Sequence, residues 1–195
     1  MYRRNPEEEL GRLKEFLGEL SEPVARPVFV LVSGLPGTGK TYFSRRLGER
    51  LPSVIVESDA LRKVLFAHPT YRPEESQRLF TATHHLIEGL LKGGRSVIFD
   101  ATNVLEQHRQ HLYRIAEKLG VRLIIVHVEA PHEVVRERLE DRSVHRRPDE
   151  KSDAGWDVYS RMRSRAERIR RNYFSVDTSR DIAPVIEKIV REARR

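Results

Sequence analysis

The chain has no cysteine among its 195 residues, so disulfides and thiolate metal sites are excluded and the redox compartment leaves no mark. It also lacks long hydrophobic runs. The longest, such as Val28–Val32 and Leu123–Val126, fall far short of a bilayer span. No segment near Met1 combines a basic start, an apolar middle and a small-residue cleavage site. A cytoplasmic protein with no membrane partner is therefore the expectation. Internal repeats and low-complexity tracts are missing too. Acid is in short supply relative to base: the formal net charge is +7 and the pI about 9.9. That balance favours anionic partners without choosing among nucleotides, nucleic acid and phosphorylated metabolites. Much of the excess lies between Arg161 and Arg171, where six arginines stand against Glu167. A solvated helix face is the plainer reading of that run, and a polyanion-binding surface the other.

What is present describes a globular chain with a heavily ionised surface, 38% hydrophobic and 33% charged, of a length for one α/β domain. Residues 1–27 read as an added N-terminal helix and linker. Asn5 can cap, Pro6 suits the first helical position, and Glu7, Glu8 and Glu9 complement the helix dipole. Leu10, Leu13, Leu17 and Leu20 share one face before Pro23 and Pro27 close the segment. Residues 28–195 alternate short β-branched runs with helical patterns. The strands expected are Val28–Val32, Val54–Val56, Ser96–Asp100, Arg122–Val128 and Tyr173–Val176. Continuous apolar strands alternating with helices imply a doubly wound parallel sheet covered on both faces.

The string GLPGTGKT, Gly34 to Thr41, matches G-x-x-x-x-G-K-[ST] directly after a strand and at the opening of a helix, which is the context a P-loop requires. Gly37 and Gly39 present no side chain, so backbone N–H groups can converge on phosphates, helped by the dipole of the following helix. Lys40 can reach the β- and γ-phosphates and the Thr41 hydroxyl can ligate Mg²⁺. The nucleotide-contacting stretch is read as Gly34, Leu35, Pro36, Gly37, Thr38, Gly39, Lys40, Thr41 and Tyr42. No N-K-x-D guanine-reading sequence or D-x-x-G switch follows, which argues against a regulatory GTPase.

Two carboxylates stand at strand ends, where ligands of doubly wound folds collect. Asp100, in FDATN (Phe99 to Asn103), can hold Mg²⁺ directly or through water. Capping the next helix is the alternative. Asp59, in ESDALR, can accept the proton of an attacking hydroxyl, and Arg62, one turn on, can hold an anionic part of the acceptor. Asn103 joins Asp100 and Arg62 as a candidate on the substrate side. The alternative is that Ser58 or Asp59 caps a helix over Ala60–Ala67 and that Arg62 is solvated. Further on, Arg138 and Arg142 lie one turn apart before the polar segment that carries Arg146 and Arg147. An arginine-bearing helix–loop–helix there, about 138–160, reads as a lid that closes on the transferring phosphoryl, with Arg142 and Arg146 its leading catalytic candidates. An arginine-rich surface hairpin is the plain alternative. The histidines carry no H-E-x-x-H spacing, so no transition-metal site is expected. Trp156 and Tyr159 read as packing residues.

In order and spacing, SGLPGTGKT, ESDALRKVLF, SVIFDATN, RERLEDR and SVDTS resemble the predicted kinases related to polynucleotide 5′-hydroxyl kinases and, more distantly, zeta toxins. The resemblance runs from about Pro27 to Val190. It implies a five-stranded parallel sheet of order 2-3-1-4-5, with Lys40 and Thr41 serving ATP and Mg²⁺. It further implies Asp59 as general base, Arg62 as an acceptor contact, Arg142 as a lid arginine, and the loop around Thr178 at the adenine. ATP rather than GTP rests on this resemblance together with the missing guanine motif. The expected activity is transfer of the ATP γ-phosphoryl group to a hydroxyl. A nucleic-acid 5′-hydroxyl is the first acceptor, a small-molecule alcohol the second, and a non-catalytic ATP-binding factor the reading from another class.

Overall fold

A computed structural model describes residues 6–18, 20–144 and 154–195. Thirteen elements follow in chain order. Helix α1 (Pro6–Leu17) precedes strand β1 (Val28–Ser33), the phosphate loop and α2 (Lys40–Gly48). Next come β2 (Val54–Glu57), α3 (Ser58–Leu65), α4 (Pro73–Lys92) and β3 (Val97–Asp100). After α5 (Glu106–Leu119) and β4 (Arg122–Glu129) the chain makes α6 (His132–Val144) and α7 (Trp156–Arg165), then β5 (Phe174–Asp177) and α8 (Ala183–Ala193). The five strands form one all-parallel sheet in the order β2-β3-β1-β4-β5, the order implied by the resemblance.

The central strand β1 is buried at all six positions, because a parallel sheet has helices on both faces and no solvated side. One core collects Phe29, Leu31, Val56 and Phe99 with α3, α4 and α5. The opposite core collects Val30, Val32, Ile98 and Val126 with α2 and α8. Alternation along a strand assigns each residue to its face. Leu13 of α1 joins the first core at 0% exposure, and Arg12 donates to the Val64 carbonyl while Glu9 pairs with Arg78. Thus α1 lies against α3 and α4. It begins at Pro6 as expected, whereas the Asn5 cap falls outside the described residues. Among the described residues no helix is long and apolar enough to cross a membrane.

Strand register sets the site. Val32 lies opposite Asp100 on one side, Ser33 lies opposite His127 on the other, and Glu57 is level with Asp100. The carboxyl ends of the strands therefore share one edge, the edge where β1 opens into the phosphate loop.

Candidate active site

Each glycine of the loop answers a close approach. A Cβ on Gly34 would stand 2.3 Å from the Val128 carbonyl oxygen, and its amide donates to the Thr102 carbonyl at 3.0 Å. Gly37 and Gly39 have φ of 79° and 86°, a region that side chains resist. Gly37 lies under Val135 and Leu139 of α6, and Gly39 lies against Thr178. The loop is thus gripped from α6 and from the turn after β5.

Within the loop the Lys40 ammonium donates to the Leu35 carbonyl at 3.0 Å, alongside the Thr38 hydroxyl at 2.8 Å. Burial pulls Lys40 below its ordinary value; Asp100 and Asp59 oppose that pull and Arg142 adds to it. Asp100 is pushed up to about 6 by burial, against the attraction of Lys40 and a hydrogen bond from Thr41, with Glu57 and Asp59 raising it further. Its Oδ2 is buried without a hydrogen-bond partner. A hydroxyl and a carboxylate in contact, one carboxylate oxygen unspent, form a hard-oxygen donor set. Thr41 and Asp100 therefore fit a divalent cation such as Mg²⁺.

Asp59 occupies the first turn of α3 and makes no capping hydrogen bond; Glu57 holds the N-cap position. The helix runs Ser58–Leu65 rather than Ala60–Ala67, so Asp59 sits inside it, within electrostatic reach of Lys40 and Asp100. Arg62 is not solvated. It is 7% exposed, paired with Glu75 and laid over the Tyr71 ring at 4.7 Å, with its Nε buried and unpartnered. Glu75 is a hub: it also accepts from the Thr70 amide and hydroxyl and from the Tyr71 amide, which steadies Tyr71 at φ 58°. Asn103 turns inward instead of toward a substrate. Its amide donates to the Val32 carbonyl at 3.0 Å, its own carbonyl accepts from Ser33 and Arg109, and its φ is 45°. It braces the base of the phosphate loop.

Val135, Leu139 and Tyr159 pack together with Leu35 and Trp156 against them, which joins α6 and α7 to the loop. Trp156 and Tyr159 do pack, with ring centroids 5.0 Å apart. Arg142 donates to the Ala154 carbonyl, and Arg146 lies outside the described residues. Among the described residues, the arginine that hydrogen-bonds to the loop is Arg138. Its Nη1 donates to the Thr178 hydroxyl at 2.8 Å and to the Gly37 carbonyl at 3.4 Å, and its Nη2 to the Thr178 carbonyl at 3.0 Å. Thr178 in turn donates to the Thr38 carbonyl at 2.6 Å. The face shared with Val135 and Leu139 marks both Arg138 and Arg142 in the sequence, since side chains three and four apart meet the same surface. Arg109, 1% exposed, and Glu75 offered no such signal. Tyr42 is 55% exposed beside the loop.

A family profile described as an AAA domain matches residues 29–169. Adenylyl-sulfate kinase of Myxococcus xanthus (strain DK1622) is 28% identical over 112 residues, 55% of this chain and 60% of the relative, so the match spans less than two thirds of that protein. Among solved structures, Kti12 of Chaetomium thermophilum in complex with ADP-AlF3 superposes with a TM-score of 0.69 at 20% identity, covering 84% of this chain and 96% of its own. The APS kinase of Mycobacterium tuberculosis in complex with AMPPNP and APS gives 0.68 at 17%, covering 89% and 100%. At these identities the structural likeness concerns the fold.

Proposed function

The chain belongs to the AAA-domain family, and we propose that it transfers the γ-phosphoryl group of ATP to a hydroxyl of a small, anionic acceptor. One observation carries this reading: Lys40, Thr41, Asp59 and Asp100 meet electrostatically at the carboxyl edge of the sheet, where phosphate, metal and acceptor hydroxyl have to meet. Lys40 exchanges the Leu35 carbonyl for the β- and γ-phosphates, and the loop amides hold the rest of the triphosphate. Thr41 and Asp100 would hold Mg²⁺, which would supply charge neutralisation at the transferring group. Asp59 takes the proton of the attacking hydroxyl. Arg138 and Arg142, carried on α6, counter the charge that develops as the phosphoryl moves.

Arg62, set over the Tyr71 ring and paired with Glu75 but with an unspent Nε, is the contact for an anionic group of the acceptor in this reading. The sequence put a nucleic-acid 5′-hydroxyl first. Relatives and structural neighbours that name an acceptor name small molecules, among them APS and gluconate, and they move preference to a small alcohol. An ATP-consuming reaction fits the cytoplasmic setting expected from the sequence.

The test is transfer of labelled γ-phosphate from ATP to a panel of APS, nucleosides, sugars, amino alcohols and 5′-hydroxyl oligonucleotides, with Lys40→Ala and Asp59→Asn alongside. Label on a small alcohol, lost in both variants, is the expected outcome. Label on oligonucleotide 5′ ends restores the first acceptor. ATP binding with no transfer to any acceptor refutes the kinase reading in favour of a non-catalytic factor, and full transfer by Asp59→Asn removes that residue from the mechanism.

A further inference from the structure

The arginine run between 161 and 171 is only partly a helix face. Helix α7 stops at Arg165, and residues 166–173 continue as an irregular strip along α5. Buried contacts fix this strip. Arg109 donates to the carbonyls of Glu167 and Arg168 at 2.9 and 3.1 Å, the Glu167 amide donates to the Val104 carbonyl at 2.9 Å, and Ile169 enters the main core. The one acid of the strip is consumed, because Glu167 accepts from the Glu106 amide at 2.6 Å. The two acids of the neighbouring α5 surface are spent as well: Glu106 pairs with Arg109 and Glu117 with Arg171.

Outward the strip shows base and ring. Arg168 and Arg170 are exposed, as is Arg114 on α5, and none of the three has a side-chain partner among the described residues. Tyr173 is 44% exposed and is set edgewise against His127 at 5.9 Å. Arg171 lies over the Tyr113 ring at 4.2 Å. The surface between them is concave. A hollow of about 900 Å³ runs along Arg168 to Tyr173, and a second of about 270 Å³ lies between Arg170, Arg171 and the Arg114 side of α5. Arg170 and Arg171 line both, so the two hollows adjoin along one track.

We propose that this track binds single-stranded nucleic acid, separately from the phosphate loop. A lone phosphate calls for donors that converge on one point. Here the cations are strung along a channel and an aromatic ring is offered beside them, which is the pattern that follows a phosphodiester backbone while stacking a base. Rigid anchoring by Arg109 means that little ordering is required on binding.

The test is fluorescence anisotropy of a labelled oligouridylate or oligothymidylate with saturating Mg²⁺ and a non-hydrolysable ATP analogue, which keeps the phosphate loop filled. Three cations predict that log affinity falls with log salt at a slope of roughly −2, about −0.7 per neutralised phosphate of a single strand. Combined Arg114→Ala, Arg168→Ala and Arg170→Ala should abolish that slope and weaken binding more than about tenfold near 0.1 M salt. Tyr173→Ala should weaken binding roughly tenfold with the slope unchanged. Should the triple variant lose its cooperative melt, Arg168→Gln with Arg170→Gln, both on the exposed strip, replaces it. Unchanged affinity in the charge variant overturns the proposal. So does equal competition by inorganic polyphosphate together with indifference to Tyr173→Ala, since that marks a bare polyanion surface.

Discussion

Glu75 ties Arg62 to the Thr70–Tyr71 turn, and removing its carboxylate tests that reading quantitatively. Its oxygens accept from the Arg62 guanidinium, the Thr70 amide at 2.7 Å, the Thr70 hydroxyl at 2.9 Å and the Tyr71 amide at 3.2 Å. Burial alone would raise its pKa; the Thr70 amide, Arg62, the Thr70 hydroxyl and the Tyr71 amide together pull it from 4.5 down to about 2. A depressed carboxylate stabilises the folded state above its unfolded pKa, and that contribution is lost as pH falls toward the folded one. At about 1.4 kcal/mol per unit the shift amounts to about 3 kcal/mol, trimmed to about 2 by screening on the open side. An independent route gives a similar figure, since cutting one member of a buried pair costs about 3–5 kcal/mol. Glu75→Ala should therefore cost about 2–4 kcal/mol, lowering Tm by about 4–16 °C at this chain length. Thermal melts of both proteins at pH 7.5 and pH 3 provide the assay. The gap should be full at pH 7.5 and shrink by roughly half at pH 3, below the ordinary carboxylate range. A Tm change under about 2 °C at pH 7.5, or a gap that widens in acid, refutes the account.

Gly39→Ala places a Cβ 2.9 Å from the Thr178 hydroxyl at φ 86°, so ATP affinity measured by calorimetry should fall at least about tenfold, from strain of about 1–3 kcal/mol. Arg138→Lys cannot reproduce contacts made from two nitrogens of one planar fork. It should lower kcat by about tenfold or more with little loss of Tm, and an unchanged kcat in γ-phosphate transfer contradicts its place beside Arg142. Asp100→Asn should leave turnover unresponsive to added Mg²⁺ over a full titration, because it removes the charge that Thr41 and the buried Oδ2 organise; a retained Mg²⁺ optimum speaks against the donor set.

The phosphate loop and the sheet were legible because their signals are local or repeat with a fixed period: GLPGTGKT is contiguous, and the strands read as apolar runs. Strand ends moved by a residue or so, as with β5 at Phe174–Asp177 rather than Tyr173–Val176. The strand order entered through the resemblance. Roles that depend on distant partners were not legible. Asn103 looks like a site residue beside Asp100, yet Val32, Ser33 and Arg109 claim it. Arg62 reads as open to solvent until Glu75, thirteen residues on, is seen to pair with it and bury it. Among the lid arginines, spacing separates Arg138 from Arg142 by one turn but cannot say which faces Thr178, forty residues away. Side-chain direction depends on how α6 docks, and docking is a tertiary fact.

The place of α1 has a consequence for synthesis on the ribosome. Its partners are made late: Val64 follows Arg12 by 52 residues, and Arg78 follows Glu9 by 69. At about 5–20 residues per second, Leu13 waits roughly 3–14 s before α3 and α4 exist to cover it. A nascent chain carries the apolar stripe of α1 bare through that interval, open to any holdase at the exit tunnel. Helix α1 is thus made before the helices that cover it, and it settles only when α3 and α4 have followed.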